Sequence, residues 1–121
     1  MAKNARLTPA GHLARVREIC LAHDGAFEKL SHGEPTFFLK QGVFAMFAGN
    51  HHHDGKVAVW LPAAPGMQET MIAEAPEKYF RPPYVGPSGW VGVILDLATG
   101  EELAELIGQS ARLIAAKKKK R

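Results

Sequence analysis

Three groups of side chains in this sequence have the types and spacing to do chemistry. The first is cationic: Lys117, Lys118, Lys119, Lys120 and Arg121 close the chain, with Arg112 shortly before them. Clustered cations contact the phosphates of nucleic acid, or an acidic membrane surface. Such binding is independent of base sequence and weakens with salt. The bland alternative is a solvated helix end whose cations complement the helix dipole. The second group is "NHHHDG", residues 50–55. In an extended segment His51 and His53 project to one side, with Asp54 beside them. A tight metal site would still need ligands from elsewhere in the chain. The segment therefore reads as a polar hairpin turn, and no metal site is expected.

The third group is "RPPYVGPSGWVGV", residues 81–93. Tyr84 and Trp90 could stack on bases or on another flat ligand, with Arg81 near them. Gly86 and Gly89 form a G-x-x-G pattern. In KH domains that loop joins two helices and clamps an RNA backbone. Here it contains Pro87 and leads into a strand, so the KH reading fails. An architectural role explains the residues better. Pro82 and Pro83 hold an extended segment, the glycines permit turns, and Trp90 seats the next strand. Nothing here proposes a reaction. Cys20 falls at a buried helix position, and no nucleophile stands beside His32 and Glu34. Phosphate-loop, dinucleotide and nucleophile-elbow patterns do not occur. The expectation is a binder without catalytic residues or a cofactor.

Charge is unevenly distributed. Residues 1–17 carry Lys3, Arg6, Arg15 and Arg17 with no acid, a net +4. Residues 112–121 carry +6, and the middle, 18–111, holds all twelve acids for a net −7. An acidic middle repels phosphate, so contacts with nucleic acid should come from the two ends. A chain of 121 residues reads as a single domain, 1–121, with one core and residues 117–121 disordered. No apolar run approaches the ~20 residues of a membrane helix. No long apolar block marks a signal peptide, and a single cysteine forms no internal disulfide. The expectation is a cytoplasmic protein without a membrane partner.

These groups need elements to hold them. "LTPAGHLARVREICLAHDG" predicts a first helix capped by Thr8, with Pro9 in its first turn and Leu13, Val16 and Cys20 on one face. Gly25 is expected to close it. "FEKLS", "PTFFLK", "VFAMFAG" and "KVAVWLPA" predict four short strands with no helix between them, hence antiparallel pairing. "GMQETMIAEAP" predicts a short helix ending before Pro76, and "WVGVILDL" a further strand. "GEELAELIGQSARLIAAKKKKR" predicts the last helix, with Leu103, Leu106, Ile107, Ser110, Leu113 and Ile114 on its buried side. The fold class is α+β in two layers: an antiparallel sheet with the N- and C-terminal helices packed on one face. That arrangement would bring Arg6, Arg15, Arg17 and Arg112 onto one surface with the lysine tail.

Strand alternation makes a further prediction. Val57, Val59, Leu61, Val91, Val93 and Leu95 form an aliphatic side that suits the helices. Trp60, Trp90 and Ile94 fall on the opposite side. That side is too apolar for plain solvent surface, so the short helix with the proline loop, a second subunit, or a ligand should cover it.

The blocks "SHGEPTFFLKQGVFAMFAG", "VAVWLPA", "YFRPPYVGPSGWVGVILD" and "SARLIAAK", in that order, resemble the MmcQ/YjbR family over nearly the whole chain. The resemblance implies a small bacterial α+β protein of frataxin-like or secretion-chaperone-like layout. It also implies DNA binding through a "double wing" of strands and helices. This chain has Gln41-Gly42-Val43 where the family often carries a basic residue, and Ala111 where it usually carries a tyrosine. The expected function is a DNA-binding module working through its basic ends. The alternatives are a protein-interaction or chaperone-like module, self-association included, using the face with Trp60 and Trp90, and a small-molecule binder or enzyme with a cleft near Arg81, Tyr84 and Trp90.

Overall fold

The computed structural model describes residues 8–49 and 55–117. The readings placed on Arg6, His51, His53, Lys118, Lys119, Lys120 and Arg121 lie outside the described residues.

Helix α1 spans Pro9–Leu21. The Thr8 hydroxyl accepts from the Gly11 amide at 3.0 Å, which satisfies one of the donors that a helix start leaves unpaired. Val16 and Cys20 are fully buried. The helix ends earlier than the glycine suggested: Ala22 caps it in a right-handed conformation. Gly25, at φ 80°, sits instead in the turn entering the sheet.

Strands β1 (Phe27–Ser31) and β2 (Glu34–Leu39) form a hairpin around His32-Gly33. Both turn residues have positive φ, 55° and 81°, the combination that matches the twist of a two-residue hairpin. Strands β3 (Gly42–Gly49) and β4 (Val57–Leu61) follow, then helix α2 (Met67–Glu74). The chain continues through β5 (Tyr79–Phe80), β6 (Val91–Ile94) and helix α3 (Gly100–Ala115). The sheet order is β1-β2-β3-β4-β6-β5, antiparallel throughout. Two details differ from expectation. β5 has only two residues, too few for a period-2 pattern to register. β6 stops at Ile94 because residues 95–97 form a 3₁₀ turn, although Leu95 stays fully buried.

α1 and α3 pack on one face of the sheet, against each other and against β3 and β4. The main core between the layers joins Val16 and Cys20 of α1 to Leu103, Ile107, Ala111 and Ile114 of α3. From the sheet it takes Phe37, Val59, Leu61, Val91 and Val93, which includes the predicted aliphatic side. Each large side chain buried in this way contributes about 1.5–3 kcal/mol. A bulge between β2 and β3 places Phe37 opposite Ala45 but Phe38 opposite Val43, so Phe44 is the extra residue. Phe44 is fully buried, and its carbonyl accepts the hydroxyl of buried Ser110 on α3. That bond satisfies a polar group that would otherwise be costly inside the core. Ala111 is likewise a core residue.

α3 begins with a capping box. The Thr99 hydroxyl accepts from the Glu102 amide, and the Glu102 carboxylate accepts from the Thr99 amide. The Glu102 carboxylate also takes Lys78 Nζ at 2.9 Å. The helix start is thereby tied to the segment just before β5.

Candidate functional site

The predicted loop is built from below by one glycine and one glutamine. Gly92 of β6 pairs with Phe80 of β5. A Cβ at Gly92 would come within 2.4–2.7 Å of the Phe80 ring, so the ring lies directly on the bare backbone. Phe80, Val85 and Trp90 then pack over Trp60, Ala58 and Ala48 on the sheet face away from α1 and α3. Trp60 is left 3% exposed. The apolar side predicted from strand alternation is therefore covered, around Trp60, by this chain's own β5 and proline loop. Gln68 of α2 clasps that loop. Its amide nitrogen donates to the carbonyls of Gly86 at 2.9 Å and Trp90 at 2.6 Å, and its oxygen accepts from Arg81 Nη1 at 3.3 Å. Pro82 is buried, whereas Tyr84 is 70% exposed. Tyr84 has φ 67°, a left-handed conformation that costs a non-glycine residue about 1–3 kcal/mol. The four candidates of this region thus separate. Trp60 lies under the loop, Trp90 is half-buried, and Arg81 and Tyr84 face solvent.

The basic candidates separate as well. Arg15 is tied down at the start of α3. Its guanidinium donates to the carbonyls of Leu95 at 2.9 Å and Ala98 at 3.1 Å, and to His12 Nδ1 at 3.3 Å. His12 is 3% exposed, and its Nε2 donates to Asp96 Oδ1 at 2.8 Å. Arg17 forms a two-point pair with Glu28 of β1, at 2.7 and 2.8 Å. The Arg17 guanidinium holds the Glu28 carboxyl below the usual carboxylate range, and Glu28 raises Arg17 in return. Arg112 and Lys117 are exposed at the other end of α3. Neither is paired with a carboxylate among the described residues. The terminal helices do pack together, with Arg15 bonded at the start of α3, Arg17 paired to β1, and Arg112 and Lys117 at the far end of α3.

Beside that end of α3 lies a cleft of about 470 Å³ between α2 and α3. Leu61, Val91 and Met71 lie deep within it, while Leu106 and Leu113 line its α3 side. A second cleft of about 400 Å³ adjoins it, sharing Pro62, Ala63 and Leu113 and reaching Trp90 and Lys117.

Other chemistry is limited. Burial pushes the Cys20 thiol up to about 12, so the thiolate needed for nucleophilic attack is suppressed at neutral pH. Among the described residues no group of three histidine, cysteine or acidic side chains is placed to hold a metal ion. No helix among them is long and apolar enough to cross a membrane.

The family model described as YjbR matches residues 21–113. The chain belongs to the YjbR family. The match takes in all six strands, α2 and most of α3 of this YjbR protein. His12, Arg15 and Arg17 lie outside it. The fold is similar to the crystal structure of the Deinococcus radiodurans protein DR2400, described as carrying the domain DUF419. The TM-score is 0.73 at 21% identity, over 91% of this chain and 83% of that one. No curated protein matches the sequence.

Sequence reasoning missed His12, Asp96 and Gln68. His12 stands on the helix face beside Val16, one turn before it, and that spacing was a usable signal. Gln68 had none, because its partners are backbone carbonyls 18 and 22 residues away. Phe27 and Phe38 were also missed as a pair. Their rings stack at 5.4 Å across β1 and β2, with Lys29 Nζ 5.9 and 5.3 Å from the two centroids.

Proposed function

We propose that this YjbR protein is a DNA-binding module without catalytic function, and that the C-terminal end of α3 makes its contact with phosphate. One observation carries the reading. After Glu105 the chain contains no acid, and its last ten residues contain six cations. Arg112 and Lys117, the two of these within the described residues, are exposed. Arg15 and Arg17 are assigned no role in binding. Their guanidiniums already satisfy carbonyls and a carboxylate within the fold, and withdrawing them would leave those partners unpaired. Family membership supports the reading through the DNA-binding label that the resemblance carries.

The test is the affinity of the full chain for a generic DNA duplex, measured by fluorescence anisotropy over a range of salt concentrations. Each phosphate contact contributes about −0.9 to the slope of log K against log salt. Removing residues 118–121 should make the slope shallower by about 3–4 if all four cations touch phosphate. A slope near zero for the full chain, or an unchanged slope after the deletion, overturns the proposal.

A further inference from the structure

The cleft between α2 and α3 lies within the range of roughly 300–1,000 Å³ that small-molecule sites occupy. Its interior is apolar and its polar groups are few. Ser110 is turned away to the Phe44 carbonyl, which leaves Gln109 and Arg112 as the polar lining. Met67, 37% exposed, stands on the α2 side with Met71 behind it. Methionine is the side chain best able to re-pack around ligands of different shape. Leu106 and Leu113 remain half-buried on the α3 side, so the two helices leave apolar surface uncovered between them.

The charged side chains that line the two clefts are cationic, although the Glu105 carboxylate accepts from Gln109 Nε2 at 2.9 Å beside them. Arg112 borders the first cleft and Lys117 the adjoining one, and among the described residues no carboxylate lines either. This is the arrangement an anionic head with an apolar body would complement. The chain's own ends are poor occupants. Residues 118–121 are all cationic, and residues 1–7 carry Lys3 and Arg6 with no acid.

We propose that the cleft between α2 and α3 binds a small anionic amphiphile of the fatty-carboxylate class. The acyl chain lies among Met67, Met71, Leu106 and Leu113, and the carboxylate lies on Arg112, with Lys117 of the adjoining cleft adding positive charge at the same end of α3. The proposal shares Arg112 and Lys117 with the DNA-binding reading, but the two are tested separately, because ligand binding is measured without nucleic acid.

The experiment is titration of the full chain with decanoate, below the concentration at which it forms micelles. It is followed by calorimetry and by the fluorescence of Trp90, which lines the adjoining cleft. Decanol, of equal chain length and no charge, is titrated in parallel. Decanoate should saturate at one molecule per chain and bind at least about tenfold more tightly than decanol, the factor expected from one charge-assisted contact. R112A combined with K117A should bring decanoate down to the level of decanol. Both side chains are exposed, so circular dichroism should show the fold unchanged. A64W, at an exposed position on the cleft wall, should abolish binding of both ligands. The proposal is overturned if decanoate fails to saturate, if decanol binds equally well, or if either variant binds decanoate as the parent does.

Discussion

Three buried polar or ionisable residues each solve a local problem, and none of them needs a ligand. Gln68 satisfies two loop carbonyls. His12 bridges Arg15 and Asp96, using the tautomer with its proton on Nε2. Cys20, fully buried, behaves as a small apolar side chain. The thiol is the most readily tested. Burial raises its pKa in the folded chain to about 12, against 9.0 for an unperturbed thiol. The folded chain therefore keeps a proton that the unfolded chain loses as pH rises through 9. The thiol's contribution to stability is complete below that pH and declines from 9 towards 12. At pH 8 a thiol reagent such as dithionitrobenzoate should label Cys20 only when the chain opens. The labelling rate should rise with denaturant to the rate of the unfolded chain. Fast stoichiometric labelling without denaturant would contradict the buried position.

At the scale of elements, what was legible in the sequence was whatever rests on period and capping. Thr8, the aliphatic alternation of β4 and β6, and the buried face of α3 could all be read before any contact was known. β5 could not, because two residues have no period. The early stop of β6 and the Phe44 bulge depend on what packs against them, so a local pattern does not show them. The proline loop shows the division within one stretch. Its glycines and prolines marked a stiff lead-in to a strand. Its clasp by Gln68 and the stacking of Phe80 on Gly92 are long-range contacts. Gln68→Ala removes the donor shared by the Gly86 and Trp90 carbonyls and leaves both to find water. Stability should fall by about 1–3 kcal/mol, the cost of stranding buried acceptors. Trp90 should become more accessible to acrylamide while Trp60 stays protected beneath Phe80 and Val85. Unchanged stability together with unchanged quenching would show that the loop holds itself without the glutamine.

Over the whole molecule, the sequence showed that the charge was divided but not which cations were free to act. The count treated Arg15, Arg17 and Arg112 alike. Folding separates them, because the first two lie next to carbonyls and a carboxylate that a linear reading cannot see. The candidate site was therefore legible as a basic end and not as a set of residues. The separation can be measured by two pairs of substitutions with opposite signatures. R15A with R17A removes the guanidinium bonds to Leu95, Ala98 and Glu28, so the midpoint of thermal unfolding should fall by several degrees. The salt slope of DNA binding, measured below that midpoint, should not change. R112A with K117A touches no internal partner among the described residues. It should leave the thermal midpoint within about 2 °C, since surface substitutions of this kind change stability by about 0.5 kcal/mol or less. It should also make the salt slope shallower by up to about 2, one contact for each cation removed. If the first pair flattens the slope as much as the second, Arg15 and Arg17 leave their internal partners to meet phosphate. The assignment of binding to the end of α3 would then be wrong.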